Sequence, residues 1–259
     1  MDKPEGELSA LRLMVVDDHE INREFLATAL GPQVADLRLA SSGPQAIAMA
    51  GRQHFDVILM DLHMPGMDGL TALQTIRLQA KGRPLPKAIA LTADTRPEER
   101  ERLLSSGFDD FLNKPVSIGR LLDAIRALYE PGVSESLAFH GVSEGGDLLE
   151  VRNALAAANG DQALLARLQT TFAEQLPGEF EKLERLIDQQ QFEQAAGLLH
   201  RWQGACGYTG TIRLKRYCER AHGRLLASVR PTGAELVELT RLVHATHAAL
   251  KLAHRDFSS

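Results

Sequence analysis

Residues 11–129 switch repeatedly between short apolar runs and stretches with helical periodicity. Residues 11–16, 37–40, 57–60, 88–91 and 110–112 predict strands. Residues 22–30, 43–50, 69–79, 97–104 and 118–128 predict the helices that follow them. The runs at 57–60 and 88–91 are apolar at every position, the pattern of strands covered on both faces. Strict alternation of this kind predicts an α/β fold with a five-stranded, parallel, doubly wound sheet.

The pattern breaks between residues 130 and 146. Glu130, Pro131 and Gly132, followed by scattered Ser and Gly, predict a linker with at most a loose helix around 137–139. Strand signals then vanish. Residues 148–157, 163–175, 177–187, 192–208, 214–227 and 234–253 carry helical spacing, with Pro177 opening the third of these. Short connections between such helices predict an antiparallel, all-α bundle. The predicted organisation is a sheet domain at 10–129, a linker at 130–146 and a helical bundle at 147–255.

Composition narrows the partners. The chain has 259 residues, 24% of them charged, with a net charge of −5. Residues 1–146 carry −6 and residues 147–259 carry +1, so neither half has the charge expected of a nucleic-acid or anionic-lipid binder. Arg213, Lys215, Arg216, Arg220 and Arg224 cluster on one predicted helix. Without a helix-turn-helix pattern they fit a solvated face, or a patch steering an acidic partner, better than a DNA contact. The two cysteines lack metal-like spacing and predict buried free thiols in a reducing compartment. Residues 1–8 lack the apolar core of a signal peptide. No run approaches the ~20 apolar residues that span a bilayer. The expectation is a cytoplasmic protein with no membrane segment.

The strand ends carry the chemistry. Asp17 and Asp18 follow the first strand, Asp61 the third, Thr92 the fourth and Lys114-Pro115 the fifth. The C-terminal ends of strands in an open parallel sheet lie side by side. Three carboxylates, a hydroxyl and an ammonium would therefore meet at one place. Oxygen donors of this kind suit Mg2+, and the set suits a phosphoryl group. Asp61, alone before a Met-Pro-Gly-Met loop, is the candidate nucleophile, with Asp17 and Asp18 as metal ligands.

A second candidate lies on the helix at 192–208. One face holds Ala195, Leu198, Trp202, Ala205, Cys206 and Thr209 and predicts core. The opposite face holds Ala196, Gly197, His200, Gln203, Gly204 and Gly207 and predicts exposure. Each glycine there costs about 1 kcal/mol against alanine. A bare surface around His200 would let another protein's pocket close over the imidazole. The other reading is an ordinary solvent-facing histidine beside tolerated glycines. His244 and His247 sit one turn apart without a third ligand in the pattern.

The segments VVDD, MDLHMPGMDG, LTAD and DDFLNKP resemble the flavodoxin-like receiver domain of bacterial response regulators. That resemblance implies Asp61 as phosphoacceptor and Asp17 and Asp18 as the acidic pair for Mg2+. It implies the His63 backbone carbonyl as a further ligand, Thr92 as switch hydroxyl and Phe111 as switch aromatic. Lys114 would bind phosphate, and Lys114–Pro115 would be cis. Side chains at the positions of His63 and Asp94 tune phosphate lifetime in that family. HRWQGA and the helices around it resemble the histidine-containing phosphotransfer (Hpt) domain. There His200 matches the phosphorylated histidine, Gln203 a position that is often lysine, and Gly204 the glycine that permits docking.

Together these imply a two-component phosphorelay protein. A sensor histidine kinase or Hpt protein would stand upstream and a response-regulator receiver downstream. No glycine loop for a nucleotide occurs, so ATP is not expected as the direct donor. Two other readings remain at this stage. One is a phosphorylation-gated interaction module in which the receiver controls access to the bundle. The other, a DNA-binding regulator, is disfavoured by the weak basicity.

Overall fold

The computed structural model describes residues 8–80, 82–93, 97–129 and 149–256. They form two compact units that divide between Tyr129 and Leu149. The expected linker at 130–146, the loose helix at 137–139 and Asp94 lie outside the described residues.

The first unit is the predicted α/β sandwich. Its strands are β1 (Arg12–Val16), β2 (Asp36–Ala40), β3 (Val57–Asp61), β4 (Lys87–Thr92) and β5 (Asp110–Asn113). The helices between and after them are α1 (Glu20–Leu30), α2 (Gly43–Arg52), α3 (Gly69–Gln79), α4 (Pro97–Ser105) and α5 (Ile118–Ala127). All pairings are parallel, in the order β2-β1-β3-β4-β5. The central strand β3 is buried at every position, whereas the edge strand β2 is buried only at Ala40. Met14, Val16, Ile58, Met60, Ala88 and Ala90 form one core beneath α2 and α3.

Helix starts follow their caps. α1 begins before residue 22 because His19 caps it, its Nδ1 accepting from the Ile21 N–H at 3.3 Å. Asp68 caps α3 by accepting from the Thr71 N–H at 2.7 Å.

The second unit is a helical bundle of α6 (Val151–Ala157), α7 (Gln162–Asp188), α8 (Phe192–Thr209), α9 (Ile212–Leu226) and α10 (Gly233–Asp256). One expectation fails here. Residues 163–175 and 177–187 are not two helices, because α7 runs unbroken through Pro177. A proline inside a helix costs about 3 kcal/mol through its missing N–H and its clash with the carbonyl four residues back. The apolar stripe continues past it, however, with Leu176, Phe180, Leu183 and Ile187 buried. Each such side chain contributes roughly 1.5–3 kcal/mol on burial. Together they outweigh the proline, which stands exposed.

α8 packs against α6, α7 and α9. Trp202 is fully buried, and its indole N–H donates to the Glu179 carboxylate of α7 at 2.6 Å. Burial raises the Glu179 carboxyl, against the opposing pull of that hydrogen bond. α8 ends at Gly210, whose φ of 76° is the left-handed conformation glycine favours. A Cβ there would also lie 2.9 Å from the Glu150 carbonyl oxygen. Cys206 and Cys218 are free and buried, and burial pushes the Cys206 thiol up to about 12. No helix among the described residues is long and apolar enough to cross a membrane.

Exchanging Pro177 for a helix-forming residue restores a backbone donor without removing buried surface. Pro177→Ala is expected to stabilise the bundle by about 2 kcal/mol. Urea unfolding followed by circular dichroism measures this, and an unchanged or lowered midpoint contradicts it.

Candidate functional site

The strand register levels the site residues. Val16 pairs with Met60, and Asp61 with Leu91, so Asp17 follows β1 at the height where Asp61 ends β3. Thr92 pairs with Asn113, which places Lys114 one residue beyond. The carboxylate oxygens of Asp17, Asp18 and Asp61 come within 4.8 Å of one another. Lys114 Nζ lies 2.7 Å from Asp17 Oδ2 and 2.8 Å from Asp61 Oδ2. Asp17, Asp61 and Thr92 are buried, and Asp18 is half-buried. The Lys114–Pro115 peptide is cis.

The electrostatics follow from burial. Burial pushes the Asp61 carboxyl up to about 7, with Asp17 and Asp18 adding to the rise and Lys114 opposing it. Burial alone would lower the Lys114 ammonium, but Asp17 and Asp61 outweigh it and hold the group above the usual lysine value. Three carboxylates face one ammonium, so the fully ionised cluster has a surplus of negative charge. Hard oxygen donors with that surplus fit a divalent cation such as Mg2+.

Four groups that the sequence reading did not single out hold this arrangement. Asn22 Nδ2 donates to both carboxylate oxygens of Asp17, at 3.0 and 3.1 Å. The His19 backbone N–H donates to Asp17 Oδ1 at 2.9 Å, and Arg23 Nη1 to the Asp17 carbonyl at 2.7 Å. Gly69 has no room for a side chain, because a Cβ there would lie 2.2 Å from the Asp61 carbonyl oxygen. The signal for Asn22 and Arg23 was their place in the first turn of α1, which rises directly from the Asp17 strand end.

The remaining expected residues are near but distinct in setting. The His63 N–H donates to Asp61 Oδ1 at 3.3 Å, while its side chain is exposed. Phe111 on β5 is half-buried, with the Arg100 guanidinium 5.3 Å from its ring centre.

On α8 the expected exposed face is a correction. Ala196, Gln203 and Gly204 are buried, and only Gly197, His200 and Gly207 are half-exposed. Because three helices pack on α8, its buried arc is wider than the expected stripe and takes in Leu199 and Tyr208 as well. The His200 ring lies 5.4 Å from that of His222 on α9, with the planes inclined at 44°. A Cβ at Gly197 would meet no atom within 4 Å, so packing within the chain does not require glycine there. The basic cluster on α9 is largely paired. Arg220 meets Glu238 at 3.2 Å, Lys215 meets Glu219 at 3.7 Å, and Arg224 meets Glu235. His244 packs edge-on to Phe180.

Comparison with known proteins agrees with both halves. Residues 13–126 match the response regulator receiver domain, and residues 167–256 match the Hpt domain. The signal transduction histidine-protein kinase BarA of Shigella flexneri is 32% identical over 238 residues, which are 89% of this chain and 26% of that protein. The sensor histidine kinase AruS of Pseudomonas aeruginosa is 32% identical over 248 residues, 90% of this chain and 24% of that protein. The chain thus spans about a quarter of the length of these relatives. Among solved structures, a sensor histidine kinase receiver domain from Pseudomonas aeruginosa PAO1, with magnesium coordinated in its active-site cleft, is 33% identical. That match covers 46% of this chain and 97% of the other, with a TM-score of 0.42.

Removing the ammonium tests how the cluster is held. Lys114→Met leaves Asp17 and Asp61 buried without their counter-charge and is expected to cost the first unit about 3 kcal/mol in chelator. Urea unfolding measures this, and added Mg2+ is expected to narrow the gap. Equal stability of variant and parent in chelator contradicts it.

Proposed function

We propose that this chain, which carries a response regulator receiver domain followed by an Hpt domain and so is a phosphorelay module, moves phosphoryl groups through two of its residues, Asp61 and His200. The observation that carries the first assignment is the Lys114 ammonium 2.8 Å from Asp61 and 2.7 Å from Asp17. It puts a fixed positive charge beside a carboxylate that also feels the charges of Asp17 and Asp18. We set the domains at 10–129 and 147–255, joined by the linker at 130–146.

Histidine kinases and phosphotransfer proteins are the class of partner such domains serve. In the forward step a carboxylate oxygen of Asp61 attacks the phosphorus of a partner's phosphohistidine. A P–O bond forms, the N–P bond breaks, and the partner imidazole leaves with the electron pair and takes a proton from solvent. The Lys114 ammonium donates to a phosphoryl oxygen on Asp61, and the Thr92 hydroxyl offers a second donor. Phe111, half-buried beneath Arg100, moves with Thr92 and changes the face presented to partners. Asp17, Asp18, Asp61 and the His63 carbonyl would hold Mg2+, which when bound neutralises charge on the phosphoryl oxygens.

His200 exchanges phosphoryl with a receiver. Its lone-pair nitrogen forms the N–P bond as the partner's acyl phosphate P–O bond breaks, and the carboxylate departs with the electron pair. The half-exposed ring and the unneeded glycine at Gly197 support a surface that another protein closes over. Gln203 keeps a donor but not the charge of a lysine. Buried free thiols at Cys206 and Cys218 support a reducing, cytoplasmic setting.

Incubation with a labelled phosphohistidine donor tests both assignments. Asp61→Ala is expected to abolish label on the receiver domain while leaving exchange between His200 and a partner receiver. His200→Ala is expected to do the reverse. Normal relay by His200→Ala refutes the second assignment, and normal labelling of Asp61→Ala refutes the first.

A further inference from the structure

Asn22 does more beside the Asp61 site than a place in the first turn of α1 requires. Its side chain is buried, with 2% of the residue's surface exposed. Nδ2 donates to Asp17 Oδ1 at 3.0 Å and to Asp17 Oδ2 at 3.1 Å. A carboxylate only accepts, so the amide faces Asp17 with its nitrogen and turns its carbonyl oxygen elsewhere. That oxygen, Oδ1, meets no donor among the described residues.

A buried carbonyl oxygen without a donor is a hydrogen bond left unmade, and folded proteins keep few of them. The donors around this one are committed. The Lys114 ammonium is held between Asp17 and Asp61. The His19 N–H donates to Asp17 Oδ1, and Arg23 Nη1 to the Asp17 carbonyl. A donor for Asn22 Oδ1 therefore has to come from outside the chain.

Its position says which kind. The two ends of an amide are about 2.3 Å apart, so Oδ1 stays within roughly 5 Å of the Asp17 carboxylate. It thus borders a cluster whose carboxylate oxygens lie within 4.8 Å of one another. A divalent cation held by such carboxylates as Mg2+ keeps several of its waters, each with protons to donate. We infer that Asn22 is a positioning residue for the cation of the Asp61 site. Nδ2 holds the Asp17 carboxylate in place, and Oδ1 accepts from a water in the cation's hydration shell. The inference rests on the proposed cation site of Asp17, Asp18 and Asp61.

This arrangement gives the site a preference as well as an affinity. Mg2+ dehydrates reluctantly, whereas Ca2+ takes more of its ligands from protein oxygens. An acceptor for the cation's waters therefore favours Mg2+ over Ca2+. A role confined to packing α1 against the sheet would favour neither.

The test titrates the full chain with magnesium chloride and with calcium chloride in a calorimeter. Parent, Asn22→Leu and Asn22→Ser are compared. Circular dichroism in chelator shows which variants fold, and Asn22→Ser carries the test if leucine prevents folding. A folded variant is expected to bind Mg2+ about tenfold more weakly than the parent. Ca2+ is expected to weaken only about twofold, so the preference for Mg2+ falls. Parental Mg2+ affinity in a folded variant overturns the inference. So does an equal loss for both ions, which leaves Oδ1 without the water. Asp18→Asn separates this from the reading beneath it. If the parent binds Mg2+ and Asp18→Asn binds it far more weakly, the cation site stands and only the role of Asn22 is at stake. If the parent binds no Mg2+, or Asp18→Asn binds it unchanged, the cation site and the inference both fall.

Discussion

The receiver half of this protein depends on one ammonium group. Lys114 reaches from the segment after β5 to carboxylates that follow β1 and end β3, at 2.7 and 2.8 Å. Neither partner carboxylate can escape into water, since Asp17 and Asp61 are both buried. Buried like charges at this separation are tolerated only with an opposite charge between them. The lysine therefore does two things. It joins three stretches of chain at the end of the sheet, and it leaves the cluster with an excess of negative charge that draws a cation. Asn22, Arg23 and the His19 N–H then fix the orientation of Asp17, so its geometry is set by the fold itself.

The two proposed phosphoryl stations are built on different physics. The Asp61 carboxylate is deep, surrounded by charge and framed by strand register. Gly69 lets the start of α3 press directly against the Asp61 backbone, which no other residue would permit. The His200 ring stands on a helix held by apolar packing, beside a second imidazole.

Much of this is legible in the sequence because strand ends are. A parallel sheet converts the order of apolar runs into positions in space, so Asp17, Asp61, Thr92 and Lys114 could be brought together from their places in the chain alone. The residues that hold the cluster were less visible. Asn22 looks like any polar residue in a first helical turn, and its double hydrogen bond to Asp17 depends on the angle at which α1 leaves the strand. Gly69 reads as a helix start, and its real constraint is an atom eight residues away. The bundle was harder still. Pro177 is a local signal to stop, but the stripe from Leu164 to Ile187 is a longer-range signal to continue and it prevails. Periodicity makes the face around His200 one side of a two-sided helix, whereas α8 has three helical neighbours and buries Gln203 and Gly204 as well. Periodicity reports which side is apolar but not how many helices arrive.

The burial of Trp202 has an optical side. It is the single tryptophan of the chain, and its indole N–H donates to Glu179. Excitation selective for indole therefore addresses the bundle and leaves the receiver domain dark. Emission from an enclosed indole lies to the blue and shifts to the red when water reaches it. The molecule thus carries a native fluorophore that reports the integrity of its phosphotransfer half separately from the half that holds Asp61.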